Sequence, residues 1–261
     1  MTRWLTLVAL LVLPMAPSSA QQRVDLELVL LADASGSIDD GEIRFQRQGY
    51  ASAITHPDVL DAIQMGYDQR IAVTYVEWGQ ADSQEVVVPW TIIGGKDDAG
   101  AFAEALMAAP RRAFGRNAIG NALAFGQALI EGNDIDATRR VIDLSADSAN
   151  SWSGLSIAEA RGQALAADIT INGLAVLCRS CSGRPNFYDL EQAFAETIIG
   201  GPASFVVTAD GDDRFAEAVR RKLLLEIAGR LPASGRVQAP ARRSASISAR
   251  TAATASASTS P

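Results

Sequence analysis

The chain is 261 residues long, room for one α/β domain with appendages or for two small domains. Residues 21–230 carry 18 basic and 30 acidic side chains, a net charge of −12 that argues against nucleic acid as a partner and fits a cation. Its one histidine, His56, stands before Pro57 at an expected helix end, which argues against a catalytic triad or a histidine metal cluster.

Residues 1–20 have a positive charge at Arg3, an apolar stretch from Trp4 to Leu13, and Ser18-Ser19-Ala20 at the end. That pattern predicts a cleavable signal peptide, too short for a membrane span, and hence a periplasmic or secreted protein beginning near Gln21. The apolar run from Val24 reads as a strand buried on both faces and ends in Asp33-Ala34-Ser35-Gly36-Ser37. A helix is expected over 40–54, stopped by His56-Pro57, with a further turn over 58–63. His56 then reads as an ordinary capping or surface residue at a helix C-terminus. Residues 70–78 (RIAVTYVEW) and 85–92 (EVVVPWTI) read as a hairpin whose second strand, containing Pro89, lies at an edge. Helices are expected over 97–108 and 118–131, with the loop Phe114-Gly115-Arg116-Asn117 opening the second.

Residues 138–144 read as a strand running into Ser145-Ala146-Asp147-Ser148. There follow a helix over 155–167, a strand over 169–177, a helix over 188–198, a short strand over 204–207 and a closing helix over 212–228. Residues 231–261 are Ala, Ser, Thr, Pro and Arg with little to bury, so a disordered tail is expected after a single domain spanning 21–230. Alternating strands and helices predict an α/β, doubly wound, mostly parallel sheet with helices on both faces and one antiparallel edge strand.

In such a sheet, loops at the carboxyl ends of neighbouring strands converge on one crevice. Asp33, Ser35 and Ser37 after the first strand, Asn117 before a helix, and Asp147 after the fourth strand fall at such places. Oxygen donors of this kind suit a hard divalent cation. The plainer alternative is that Asp33 and Ser35 only shape a turn while Ser37 or Asp39 caps the next helix. The acids Asp39, Asp40 and Glu42 read first as favouring a helix N-terminus.

The pattern Asp-x-Ser-x-Ser, the later Gly-x-Asn-x-x-Gly-x-Ala-Leu and the strand ending in Asp147 resemble the metal-ion-dependent adhesion site of von Willebrand factor type A domains. The resemblance covers nearly all of 24–229. It is closer still to a group of uncharacterised secreted bacterial proteins with that fold, through SGSIDDGEIRFQRQGY, IAVTYVEW, VVVPWT, AIGNALAFG, RRVIDLSADS and IIGGPASFVV. It implies that Ser35 and Ser37 bind Mg²⁺ directly, or another divalent cation such as Mn²⁺ or Ca²⁺. Asp33 and Asp147 would hold the ion through waters and hydrogen bonds to those serines. Asn117 stands where the family usually has threonine, and Ser148 where glycine is more usual. The implied function is a non-enzymatic binding module whose metal is completed by an Asp or Glu carboxylate of a protein partner.

A second class of function uses the same crevice: a phosphatase-like, metal-dependent hydrolase with Asp33 as nucleophile. Such an enzyme would want a second acid at Ser35 and a lysine near Asp147, and the sequence has neither. Cys178 and Cys181 admit a redox pair, a half zinc site or a local disulfide. The intervening and following polar residues argue for a loop, and an oxidising compartment favours the disulfide.

Overall fold

The computed structural model describes residues 21–177, 189–210 and 214–229. The expected signal peptide, the tail and both cysteines lie outside the described residues.

Strand β2 (Leu26–Asp33) is buried along all eight residues and forms the middle of the molecule. On one side it pairs with β3 (Ile71–Trp78) and on the other with β6 (Arg140–Ala146), both in parallel register. Beyond β6 lie β7 (Thr170–Leu177) and β8 (Val206–Asp210), again parallel, while β4 (Gln84–Ile93) runs antiparallel to β3 at the opposite edge. The order of this six-stranded sheet is β4-β3-β2-β6-β7-β8. β2 therefore sits where the winding reverses direction, the place where an open α/β sheet forms its crevice. Pro89 is tolerated in β4 because that strand has a free edge.

Side chains alternate across β2, and each set meets its own layer of helices. Leu28 and Leu30 pack with Tyr50 of α1 (Asp40–Ile54), Val59 of α2 (Pro57–Gln64), Phe102 of α3 (Lys96–Ala108), and Phe215 and Leu223 of α7 (Phe215–Ala228). Val29 and Leu31 pack with Leu123 of α4 (Ile119–Glu131), Ala160 of α5 (Ile157–Ala166), and Phe194 of α6 (Leu190–Thr197). Such large apolar side chains each contribute about 1.5–3 kcal/mol on burial. No helix among the described residues is long and apolar enough to cross a membrane.

The α1–α7 side of the sheet also buries charge. Asp143 stands beside Leu30 in the ladder and so faces α7, where Lys222 Nζ lies 2.6 Å from its Oδ1. The same ammonium donates to Glu226 Oε1 at 2.6 Å, and Asn172 Nδ2 reaches that oxygen at 3.3 Å. Nearby, Arg47 of α1 grips Glu77 of β3 through two hydrogen bonds of 2.7 and 3.0 Å.

Several boundaries differ from the sequence reading for local reasons. The first strand breaks at Asp25, whose carboxylate accepts from the main-chain N–H groups of Tyr67 and Asp68. Residues on the two sides of that break join different sheets. β1 (Gln22–Val24) pairs in parallel with β5 (Ile135–Ala137) as a separate two-stranded sheet. The predicted strand over 138–144 begins two residues later and runs on through Ala146. β8 likewise begins later than the predicted 204–207 and runs to Asp210. His56 is not at a helix C-terminus in the sense expected: it is the N-cap of α2, its Nδ1 accepting from Asp58 N at 3.2 Å, with Pro57 at the first helical position.

Candidate metal centre

β2 and β6 are neighbours and end at Asp33 and Ala146, so the loops that follow leave the sheet side by side. Asp33 Oδ1 accepts from Ser35 N at 2.8 Å, a turn that an aspartate makes with its own backbone two residues on. The turn brings Ser35 Oγ to 3.3 Å from Ser37 Oγ. The Ser37 hydroxyl lies close enough to the Asp147 carboxylate to pull its pKa down. Both ends of this loop are clamped. Gln46 Nε2 donates to Asp33 O at 3.2 Å, and Asp39 opens α1 with a full capping box closed by Glu42. The acids after Ser37 are thus the helix start that their spacing implied, and Ser37 is left free of that task.

The loop 111–117 forms the next wall. Gly36 N donates to Gly115 O at 2.7 Å, and Gly115 has the positive φ of 97° that glycine accepts without strain. Arg111 reaches across to the carbonyls of Ala34 at 2.8 Å and Ser35 at 3.4 Å, and pairs with Asp40 at 2.9 Å. Gly79 has to be small here, because a Cβ on it would overlap the Phe114 carbonyl. Asn117 is nearly buried, and its main-chain oxygen accepts from Trp152 N at 2.8 Å.

Of the five expected ligands, Asp33, Ser35 and Ser37 are joined by hydrogen bonds, and Asp147 stands near Ser37. Asn117 lies on the adjoining loop with no side-chain hydrogen bond to them among the described residues. Arg111 went unread in the sequence. The signal available was its place in a stretch from Ala105 to Ile130 that holds three arginines and no acid.

Burial pushes the Asp33 carboxyl up to about 7, and the Asp147 charge adds to the effect; the Ser35 hydrogen bonds and Arg111 oppose it. Asp147 is raised by burial as well, against the pull of Ser37. Asp33 Oδ2 is buried with no hydrogen-bond partner. A buried oxygen of this kind is costly unless something satisfies it. The donor set fits a hard divalent cation. Two serine oxygens 3.3 Å apart are compatible with adjacent ligands of an octahedral ion, whose edge is about 3 Å at Mg²⁺ bond lengths. Among the described residues no group of three or more His, Cys, Asp or Glu forms a rival site.

The fold is that of a von Willebrand factor type A domain. A protein of that name from Catenulispora acidiphila aligns at 16% identity and TM-score 0.54, over 78% of this chain and 43% of its own. The pilus adhesin SpaC from Lactobacillus rhamnosus GG aligns at 14% identity and TM-score 0.55, over 78% of this chain and 31% of its own. Proximal thread matrix protein 1 from the mussel byssus, solved with a zinc-occupied MIDAS motif, aligns at 16% and 0.55, over 80% and 49%. The chain thus spans less than half the length of each of these proteins. No curated protein matches it in sequence. A family model does match, over residues 23–231, and on that match the chain belongs to the DUF1194 family, proteins of unknown function.

Proposed function

We propose that residues 21–230 are a non-enzymatic binding module of the periplasm or the secreted space, which grips a protein partner through a divalent cation. Ser35 and Ser37 would bind the ion, with Asp33 and Asp147 holding it from behind and Asn117 contributing a carbonyl oxygen. Mg²⁺ is the first candidate and Mn²⁺ or Ca²⁺ the alternatives. The observation that carries the reading is the orphaned Asp33 Oδ2 beside two facing serine hydroxyls and a second carboxylate. Neutral hydroxyls leave the ion under-neutralised, so a carboxylate from outside is the ligand that best completes it. An adhesin and a metal-loaded MIDAS protein among the structural neighbours lend support.

Hydrolysis is disfavoured by the surroundings. Lys222, the lysine nearest β6 in the fold, is buried and committed to Asp143 and Glu226. The test is a melt with and without Mg²⁺ or Mn²⁺. At 100 times its dissociation constant the ion should stabilise the protein by ~2.7 kcal/mol. Asp33→Asn keeps the acceptor for Ser35 N while losing the charge, and should abolish most of that gain. Equal gains in wild type and variant would sink the reading, as would turnover of a generic phosphate ester dependent on Asp33.

A further inference from the structure

We infer that the rim of the candidate metal centre is built for an acidic polypeptide segment carrying a bulky apolar side chain; this rests on the reading just proposed. The rim has two parts. The first is basic. Arg111, Arg112 and Arg116 fall within the loop 111–117, inside the stretch from Ala105 to Ile130 that contains no acid, in a domain of net charge −12. Arg111 is already engaged, anchoring the loop to Ala34, Ser35 and Asp40. Arg112 and Arg116 are exposed and make no hydrogen bond or ion pair with any described residue. The Gly36–Gly115 hydrogen bond places the residue before Arg116 against the serine loop itself.

The second part is aromatic. Phe114 is 53% exposed and Trp152 68% exposed, large apolar surfaces to leave in water. Both are held. The Phe114 ring lies 5.0 Å from the Arg111 guanidinium and its N–H donates to Ser83 Oγ at 3.0 Å. Trp152 is tied through its N–H to Asn117, the residue that borders the metal site. Arginine and tryptophan are residue types that dominate binding energy at protein interfaces.

Charge decides the occupant. Repulsion by the acidic domain is screened beyond about 8 Å at physiological salt, so charges at the rim govern contact. There Arg112 and Arg116 offer positive charge to a segment whose first carboxylate reaches the metal. A second acid nearby would meet Arg112 or Arg116, and an apolar neighbour would cover Trp152 or Phe114. Nucleic acid, with a charge at every nucleotide, fits a domain of net charge −12 less well than a short segment carrying two acids.

The test selects a phage-displayed random peptide library on the purified protein in Mg²⁺ and measures the enriched peptides by fluorescence polarisation. Enriched sequences should pair two acids with an aromatic or large aliphatic residue. Their affinity should fall at least tenfold on Arg112→Ser combined with Arg116→Ser, and again on Trp152→Ser, with melting temperatures unchanged because these side chains are exposed. Neutral or basic sequences, no enrichment, or affinities unmoved by these variants would overturn the proposal. So would tighter, arginine-dependent binding of phosphatidylglycerol vesicles or of a single-stranded oligonucleotide. Chelator separates the two readings. Rim-dependent binding that survives chelation sinks the metal reading, while chelator-sensitive binding that ignores the rim sinks this one.

Discussion

The two oxygens of Asp33 have different tasks. Oδ1 holds the turn through Ser35 N, and Oδ2 is buried without a partner. The turn alone would be served as well by asparagine, so the charge is the unexplained part, and it is the part a cation would use. Asn117 poses the complementary question. Its side chain has no hydrogen bond among the described residues although it is 7% exposed. Asn117→Thr, which installs the residue implied by the family resemblance, is expected to tighten Mg²⁺ severalfold in a calorimetric titration. Weaker binding would show that the amide oxygen is the adapted ligand. Gly79→Ala should act from behind, pushing Phe114 and its loop outward, and lower both the melting temperature and the Mg²⁺ gain. A normal Mg²⁺ gain in that variant would mean that the loop 111–117 is dispensable for the metal.

At the scale of elements, α7 is docked by charge as well as by its apolar stripe of Phe215, Val219, Leu223 and Ile227. Lys222→Met would leave Asp143 and Glu226 facing each other without a cation. Removing one partner of a buried pair typically costs about 3–5 kcal/mol, a fall of roughly 6–20 °C in a domain of this size. The loss should be smaller at pH 6, where a carboxyl can keep its proton, than at pH 8; a loss below about 1 kcal/mol at pH 8 would mean the pair is solvated. None of this was legible in the sequence. In the sequence Lys222 and Glu226 stand one helical turn apart, a spacing common to solvated surface pairs, and Asp143 lies far away in the chain. The pairing of β1 with β5 was hidden for a related reason, since each strand is three residues long and too short to show a period. The crevice was legible. β2 is apolar from Leu28 to Ala32, so its end at Asp33 is plain, and the helix signals after Ser37 bound the loop from the other side. Short-range chemistry marks a site; long-range burial of charge leaves no local trace.

Several carboxyls among the described residues are raised by burial, and the stability of the whole molecule should carry that signature. Glu27 is pushed up to about 7 by burial, against the opposing hydrogen bond from Asn133 and the charge of Arg140. Glu226 is pushed up to about 7, first by burial and then by the Asp143 charge, and Asp143 is raised by burial. A carboxyl whose pKa is higher folded than unfolded binds more protons in the native state. Its stabilising effect is complete below the unfolded value near 4.5 and is lost as pH rises through about 7. The exposed Asp39 and Glu217 are shifted down by their hydrogen bonds and work in the opposite sense, but only below the ordinary carboxylate range. Between pH 5 and 8 the raised groups therefore set the sign. In chelator, the melting temperature should fall as pH rises across that window. One such group expressed in full gives a slope of about 1.4 kcal/mol per pH unit, or about 3–6 °C per unit for a domain of 150–250 residues. Glu27→Gln keeps an oxygen for Asn133 and removes one titrating group, so its advantage over wild type should grow from pH 5 to pH 8. Thermal melts of both proteins across that range decide the matter. A wild-type curve that rises with pH, or a Glu27→Gln gain that is constant, would show that these carboxyls are as well solvated as any on the surface.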